Sequence, residues 1–249
     1  MNLTGRIALV TGGTRGIGAS TAVALAREGA DVAITGRHLN DDAKATRDAI
    51  LALGRRCELI LADCGKPEEA VRCVQETESK LGSPAVLVHS AGGPVNGGLF
   101  DLTPEMWAAA FDVHVHAIFH LCRAAIPGMR VRKEGAIILI SSTAGIRGVV
   151  TNVAYQVAKG ALPQFARALA REFANDNIRV NCVAPGVVRT AFHATMSEEQ
   201  RRLNLDHRIP LHREGTPDQV ADLILMLVKN DYITGETMTI DGGLTMRIA

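Results

Sequence analysis

The sequence predicts an α/β fold in which a parallel sheet is covered by helices on both faces. Short apolar runs alternate along the chain with amphipathic stretches, and this alternation is typical of repeated β-α-β units. The runs are continuously apolar rather than alternating in polarity, as expected for strands that are buried on both faces. A glycine-rich segment over 11–18 joins the first run to the first amphipathic stretch.

Apolar runs predict the strands, and they lie at 7–11, 32–35, 57–61, 85–89, 136–140, 178–183 and 236–240. Amphipathic segments between them predict helices over 16–29, 41–53, 67–81, 104–130 and 153–175. Thr216 and Pro217 form an N-cap and first-turn pair, which starts a last helix over 217–229. Pro163 lies inside the 153–175 segment, so we expect a kink there or a carbonyl group that lacks its helical partner.

The composition is that of a globular chain without a strongly charged surface. The 249 residues include 27 basic and 26 acidic side chains, and no like-charge block or Pro/Ser-rich linker divides them. This balance argues against a nucleic-acid partner or a disordered tail, and we expect a single domain over 1–249. No signal-peptide pattern is present, and no apolar run approaches the roughly 20 residues of a membrane span. We therefore expect a soluble, cytoplasmic protein with no membrane partner.

The glycine-rich segment has the spacing G-x-x-x-G-x-G, from Gly12 to Gly16 to Gly18. Glycines between a strand and a helix let the backbone approach a pyrophosphate, and the helix N-terminus attracts its charge. The segment therefore predicts a dinucleotide site. The alternative is that the glycines serve only a tight turn.

The end of the second predicted strand bears on the choice of dinucleotide. An acidic residue there holds the ribose hydroxyls of NAD, whereas an arginine accommodates the 2′-phosphate of NADP. The segment reads Thr35-Gly36-Arg37-His38 and contains no acid, and Arg15 in the glycine loop offers a second phosphate partner. The sequence thus favours NADP over NAD. The alternative for Arg37 is a solvated loop residue.

Tyr155 and Lys159 are four residues apart in a predicted helix and so share one face, and Ser142 precedes Tyr155 by thirteen residues. A free phenol has a pKa of about 10 and is a poor proton-transfer catalyst at neutral pH. We expect the lysine ammonium, together with a positively charged nicotinamide, to favour the phenolate and lower that pKa. A shift of about three units corresponds to roughly 4 kcal/mol. Together with the glycine loop, these residues predict a reductase site.

The order of these motifs along nearly the whole chain resembles the short-chain dehydrogenase/reductase family, and in particular the subgroup that contains 3-oxoacyl carrier-protein reductases. Further matching motifs are Asp63, Ala91-Gly92, Pro185-Gly186 with Thr190, and the 233–235 and 241–243 segments. The resemblance implies a single Rossmann-like, doubly wound domain with a seven-stranded parallel sheet. It also implies a homotetramer or homodimer.

The resemblance implies a role for each matching residue. Tyr155 would be the general acid or base, Lys159 would lower its pKa and bind the nicotinamide ribose, and Ser142 would hold the substrate oxygen. The nucleotide would contact Gly12, Thr14, Arg15, Gly16, Ile17, Gly18, Arg37, Asp63, Cys64, Ala91, Gly92, Tyr155, Lys159, Pro185, Gly186, Val188 and Thr190. A substrate lid is expected over 187–212, and the loops over 93–98 and 144–150 would complete the pocket.

Two positions depart from the family pattern. The family's catalytic asparagine, which holds a relay water, falls at His114, and its N-N pair becomes His89-Ser90. We include His114 among the catalytic candidates because a neutral imidazole can hold the same water. A protonated imidazole would instead oppose the charge of Lys159. A histidine with an ordinary pKa of about 6.5 would titrate in the accessible range, and burial or the charge of Lys159 would push that pKa lower.

A metal site is not expected. His114, His116 and His120 lie close in sequence, but they form no H-E-x-x-H pattern, and His116 and His120 are better explained by packing or an interface. The five cysteines include no C-x-x-C pair, so we expect reduced and mostly buried thiols.

Two functions remain open at this point. One is an NADP-dependent enzyme that acts on a small carbonyl compound or alcohol, and the other is a catalytically weak nucleotide-binding scaffold, which the changes at His89 and His114 motivate. The resemblance also raises an acyl carrier protein as a partner. Family docking uses two basic positions, of which Lys133 fits the first, whereas Asp176 occupies the second and weakens that interpretation.

Overall fold

The computed structural model describes residues 1–191 and 196–246, and it confirms the predicted seven-stranded parallel sheet. The strands are β1 (Ile7–Thr11), β2 (Asp31–Gly36), β3 (Cys57–Leu61), β4 (Val86–His89), β5 (Gly135–Ile140), β6 (Ile178–Pro185) and β7 (Thr237–Ile240). They are ordered β3-β2-β1-β4-β5-β6-β7, and every neighbouring pair is parallel.

Helices connect the strands and cover both faces of the sheet. They are α1 (Gly16–Arg27), α2 (Asp41–Ala52), α3 (Pro67–Lys80), α4 (Pro104–Phe111), α5 (Ala117–Arg132), α6 (Val153–Glu172), α7 (Glu198–Leu203) and α8 (Pro217–Lys229). Local sequence explains several starts: the Thr103 and Thr216 hydroxyls cap α4 and α8, each followed by proline, and the Asn40 side chain caps α2.

Two apolar cores lie on opposite sides of the sheet. Strand side chains such as Leu9 and Leu87 pack with residues of α3, α5 and α6, whereas their neighbours Ala8 and Val86 pack with residues of α1 and α8. Since successive side chains of a strand point to opposite faces, one continuous apolar run supplies both cores. This explains why the strands lack alternating polarity.

The strand order reverses between β1 and β4. The chain leaves β1 toward β2 and β3 on one side and then returns to place β4 on the other side of β1. In open α/β sheets, ligands bind at the carboxyl ends of the strands on either side of such a reversal. Here those ends are Thr11 and His89, which directly precede the glycine-rich loop and the Ser90–Gly93 loop.

The prediction of one helix over 104–130 is wrong in detail. It is divided into α4, a π-turn over Asp112–His116, and α5. A π-turn inserts one extra residue into a helix and is frequent at functional sites. Such an insertion leaves the hydrophobic period almost unchanged on either side, and the periodicity therefore did not reveal it.

The expected lid over 187–212 is covered only in part, because residues 192–195 lie outside the described residues. Its described portion contains α7 and a second π-turn over Asn204–Arg208. Glu214, whose side chain is 7% exposed, accepts ion pairs from Arg189 at 3.1 Å and from Arg201 at 2.9 Å. This carboxylate therefore joins α7 to the segment that follows β6.

Candidate active site

Lys159 is held tightly against the end of β5. Its side chain is buried, and its Nζ donates to the carbonyl oxygen of Ile140 at 2.7 Å. Its own backbone oxygen accepts from the Ser141 hydroxyl, also at 2.7 Å. The main chain and the side chain of Lys159 are thus both bound to the two residues that precede Ser142.

Pro163 explains why the Lys159 carbonyl is available to Ser141. In a helix the oxygen of residue 159 accepts from the N–H of residue 163, and proline has no N–H. The expectation of a carbonyl without its helical partner is therefore correct, although α6 runs unbroken through Pro163. Ser141 supplies the missing donor. The sequence does not single out Ser141, although a proline four residues after the lysine signals that the Lys159 carbonyl needs another donor.

The three predicted catalytic side chains lie together. Ser142 follows β5, and its Oγ accepts from the Ala144 N–H at 3.1 Å. A hydrogen bond also joins Ser142 to the phenol of Tyr155. The Lys159 Nζ lies 5.7 Å from the centroid of the Tyr155 ring.

The pKa of the phenol shifts opposite to the expected direction. Burial raises the pKa of Tyr155 to about 12, and the Ser142 hydrogen bond opposes that rise only in part. Burial also lowers the pKa of Lys159 to about 8. The ammonium donates to the carbonyl oxygen of Ile140. Burial by the protein itself therefore favours the protonated phenol.

His114 lies in the π-turn and faces the same site. Its ring meets the Tyr155 ring edge-on, with 5.5 Å between centroids, and its Nε2 donates to the Gly93 carbonyl at 3.0 Å. Burial, followed by the charge of Lys159, lowers the pKa of His114 to about 2. The direction and causes of this shift are as expected, but the shift is large enough that the imidazole is neutral throughout the accessible range. Its Nδ1 is buried and has no partner among the described residues.

The glycine-rich loop forms a cradle whose glycines leave no room for a side chain. A Cβ built on Gly12 would lie 2.8 Å from the Ala91 Cα, and one on Gly18 would lie 2.2 Å from the Gly12 oxygen. Gly12 also has a φ of +64°. The helix that follows, α1, has no side-chain cap and no acidic residue in its first turn. Its N-terminus is therefore free to bind an anion.

Arg15 and Arg37 flank this cradle. Both residues are exposed, and neither has a hydrogen bond or ion pair from its side chain to another described residue. Gly36, at the end of β2, packs so closely on Thr14 that a Cβ there would lie 2.6 Å from the threonine Cγ2. Ile17 faces away and packs on the core under α1. The two arginines are thus available to a ligand at the end of β2.

The remaining predicted nucleotide contacts differ in what they offer. Asp63 is half-buried, and its Oδ1 accepts from the Gly65 N–H at 3.0 Å. Cys64 is only 3% exposed, and its Sγ lies 3.8 Å from the Thr35 hydroxyl, so its side chain belongs to the core and only its backbone can meet a ligand.

The segment after β6 also reaches the cradle. A Cβ built on Gly16 would lie 3.3 Å from the Thr190 Cγ2. Pro185 ends β6, Gly186 donates its N–H to the Ile240 oxygen, and Val188 is buried. Thr190 and the predicted residues near it therefore border the glycine-rich loop, whereas Ala91 and Gly92 border it from β4.

The three histidines of the π-turn and the start of α5 do not form a metal site. His116 pairs with Asp112 at 2.8 Å, His120 packs edge-on against Phe119, and His114 is directed to Gly93. Within residues 1–191 and 196–246, no group of three side chains is arranged to hold a metal ion. None of the helices in the described part of the chain is long and apolar enough to cross a membrane.

Comparison with other sequences gives matches over nearly the full chain. Residues 12–245 match a family model described as enoyl-(acyl carrier protein) reductase. The chain is 34% identical over 244 residues to the 3-oxoacyl-[acyl-carrier-protein] reductase FabG of Chlamydia muridarum, covering 97% of this chain and 98% of that protein. It is also 34% identical over 249 residues to a tropinone reductase homolog of Arabidopsis thaliana, covering 98% and 94% of the two chains.

Solved structures give the same result. A blue fluorescent protein from a metagenomic library, in complex with NADPH, matches with a TM-score of 0.91 at 32% identity over 98% of this chain and 100% of that chain. A short-chain dehydrogenase/reductase of Serratia marcescens, solved as a double mutant, matches with a TM-score of 0.91 at 30% identity over 98% and 100%. The chain therefore belongs to the short-chain dehydrogenase/reductase family of NAD(P)-dependent oxidoreductases.

Proposed function

We propose that this protein uses NADP to interconvert a carbonyl group and an alcohol on a small molecule, with Tyr155 as the general acid in reduction and the general base in oxidation. One observation carries this proposal: the half-buried Ser142 and Tyr155 and the buried Lys159 meet at the carboxyl edge of the sheet. That edge also carries the glycine cradle, so a hydride carrier and a proton donor would be brought to one place.

The residues at the cradle fit a dinucleotide phosphate. Gly12 and Gly18 allow a close backbone packing that any side chain would prevent, and the uncapped N-terminus of α1 attracts a pyrophosphate. Arg15 and Arg37 would hold the 2′-phosphate, where an acidic residue would favour NAD. When bound, the nicotinamide supplies or accepts the hydride. The structure bound to NADPH among the similar proteins supports this choice of cofactor.

The chain's own residues would handle the proton. In reduction, the Ser142 hydroxyl holds the carbonyl oxygen of the substrate, and the Tyr155 hydroxyl donates its proton to that oxygen. Because the pKa of Lys159 is about 8, the lysine is mostly charged at neutral pH and stabilises the phenolate that remains. His114 stays neutral, so it adds no second positive charge beside Lys159.

The pocket for the substrate would lie between two loops that are joined by backbone hydrogen bonds. The Gly97 N–H donates to the Thr151 oxygen at 2.8 Å, and the Val153 N–H donates to the Gly97 oxygen at 3.2 Å. These bonds fix the loop over 93–98 against the start of α6.

We further propose that the protein is cytoplasmic and assembles as a homotetramer or homodimer, in line with its family resemblance.

The direct test is to monitor NADPH absorbance with the purified protein and a panel of ketones, aldehydes and β-ketoacyl thioesters. We expect oxidation of NADPH with at least one small carbonyl compound. A scaffold would bind NADPH without oxidising it in the presence of any of these compounds. If NADP is likewise not reduced in the presence of any alcohol, the enzyme assignment is rejected. The Ser142, Tyr155 and Lys159 geometry favours the enzyme, since a scaffold has no need of a buried lysine.

A further inference from the structure

The two histidines that depart from the family pattern bind the same pair of segments in opposite directions. His89 lies at the end of β4, and its Nε2 bonds to the Val113 carbonyl of the π-turn at 2.9 Å. His114 lies in the π-turn, and its Nε2 bonds to the Gly93 carbonyl of the Ser90–Gly93 loop at 3.0 Å. Each segment therefore gives one imidazole and one carbonyl to the other.

Hydrogen-bond chemistry fixes the tautomer of both rings. A carbonyl oxygen only accepts, so Nε2 carries the proton in each imidazole. The Nδ1 of His89 is then an acceptor, and the Thr11 hydroxyl donates to it at 2.8 Å. The Thr11 oxygen in turn accepts from the Ala91 N–H at 3.4 Å. His89 thus links the end of β1, the loop after β4 and the π-turn.

The segments that these bonds join belong to the proposed cofactor and proton sites. Ala91 packs against Gly12 of the glycine cradle, as the 2.8 Å approach of a built Cβ indicates. On the other side, the His114 ring covers Gly92, where a Cβ would lie 2.1 Å from the ring Cε1. The same ring contacts Tyr155 edge-on. A displacement of the loop would therefore affect the cradle and the phenol together.

We infer that His89 and His114 act as one coupled pair of positioning residues, a histidine clasp that fixes the Ser90–Gly93 loop against the π-turn for the proposed reaction. The clasp requires both rings to be neutral, since a protonated His89 has no acceptor for the Thr11 hydroxyl and a proton on the buried Nδ1 of His114 would have no acceptor among the described residues. Lys159 is the charged group that faces both rings, and Tyr155 is the titratable neighbour of His114. Burial and Lys159 lower the pKa of His89 to about 4, which keeps that ring neutral as well.

The tautomers provide a test that does not depend on activity. Long-range ¹H–¹⁵N NMR of the full chain labelled with ¹⁵N-histidine should place the proton of both rings on Nε2, with no titration between pH 8 and pH 5. Signals are assigned from the variants His89→Leu and His114→Leu. A proton on Nδ1 of either ring, or titration of either ring in that range, overturns the clasp.

A double-mutant cycle on NADPH affinity tests the coupling. His89→Leu and His114→Leu should each weaken NADPH binding about tenfold, equivalent to about 1.4 kcal/mol. The double variant should bind NADPH no more weakly than either single variant, because both bonds close the same contact. A product of the two effects, or a larger loss, shows two independent packing residues and overturns the inference. His120→Leu, on α5 outside the clasp, is the matched control and should leave affinity unchanged.

Rescue separates positioning from simple burial. His114→Gln extends an amide N–H toward the Gly93 carbonyl and should restore most of the NADPH affinity that His114→Leu loses. Equal losses for the glutamine and leucine variants contradict the role of that hydrogen bond. If no carbonyl compound is reduced, the proposed function fails, yet the tautomers and the coupling in NADPH affinity remain measurable. The clasp can therefore be tested independently of the proposed function.

Discussion

Tyr155 and Lys159 have pKa values that the spacing of their residues alone would not give. The four-residue gap predicts proximity, and the structure places Lys159 Nζ 5.7 Å from the Tyr155 ring centroid. Burial then raises the pKa of the phenol to about 12 and lowers that of the lysine to about 8. A protonated phenol beside a mostly charged lysine is suited to donating a proton in reduction.

Arg37 is the side chain with the clearest expected effect on the choice of cofactor. Arg37→Ala removes a charged donor at the end of β2, and such a hydrogen bond contributes about 1.5 to 3 kcal/mol. NADPH binding should therefore weaken by about tenfold or more, whereas NADH binding should stay the same. Fluorescence titration of both cofactors measures this change.

Arg27→Ala is the control for that titration, because Arg27 is an exposed arginine at the far end of α1. It should leave the affinities for both cofactors unchanged. Tighter binding of NADH than NADPH by the wild type, or an equal loss of both in Arg37→Ala, would reject the role of Arg37 in selecting NADP.

The sequence allowed the identity of the main site residues to be predicted, but not their hydrogen bonds. Ser142, Tyr155 and Lys159 lie together as expected, because a helical spacing and a strand end determine their positions. Burial and the nearby Lys159 lower the pKa of His114 in the expected direction, but the sequence does not display how deeply the ring is buried. The partner of His89 is a backbone carbonyl in the π-turn, which no residue type signals.

In α6, a proline and a serine act together to present the lysine. Pro163 removes the N–H that would bind the Lys159 carbonyl, and Ser141 donates to that carbonyl at 2.7 Å. Gly145 allows the close approach, since a Cβ there would lie 2.7 Å from the Lys159 carbonyl carbon. Lys159 is thus joined to the residues before Ser142 by contacts that a regular helix would not make.

Ser141→Ala should destabilise the protein, because it leaves a buried carbonyl without a donor, at a cost of about 1 to 3 kcal/mol. In a Pro163→Ala background the new N–H of residue 163 can bind that carbonyl. The cost of Ser141→Ala should then fall by at least about 1 kcal/mol. Urea unfolding of the four proteins gives both values.

Pro127→Ala provides the matched control, since Pro127 lies inside α5 and has no connection to Ser141. Ser141→Ala should cost the same free energy of unfolding in that background as in the wild type. An equal cost in the Pro163→Ala and Pro127→Ala backgrounds would show that Pro163 does not create the demand for Ser141.

Strands and most helices were predictable because apolar periodicity determines them. The sheet, its parallel pairing and its carboxyl edge all follow from continuous apolar runs separated by amphipathic segments. The division of the 104–130 segment was missed, because a π-turn adds one residue without a change in composition.

On the protein surface, Asp176 neutralises the basic side chain at the position where the family binds a carrier protein. Asp176 binds Arg130 at 2.8 Å and Lys133 at 2.5 Å. The two bases hold the pKa of that carboxyl below its usual range. The basic side chain that fits the family's first docking position is therefore paired with the acid at the second position, a contact that the sequence did not predict.

Asp176→Asn should release these two charges. For a β-ketoacyl thioester carried by an acyl carrier protein, kcat/KM should rise roughly tenfold at low salt, because electrostatic steering of an acidic partner acts on association. Reduction of a small ketone should not change. Equal kcat/KM values of wild type and Asp176→Asn with the carrier-linked substrate, both high, would show that Asp176 does not oppose docking.

The proton donated by Tyr155 is the central claim, and the chain contains only one other tyrosine, Tyr232, which is 96% exposed. The decisive measurement compares NADPH turnover on a confirmed carbonyl substrate, together with NADPH affinity, in Tyr155→Phe and Tyr232→Phe. General acid catalysis typically contributes about 10² to 10⁴ in rate. We expect Tyr155→Phe to lose at least about a hundredfold in turnover with NADPH affinity retained, and Tyr232→Phe to match the wild type. Near wild-type turnover in Tyr155→Phe would contradict the account.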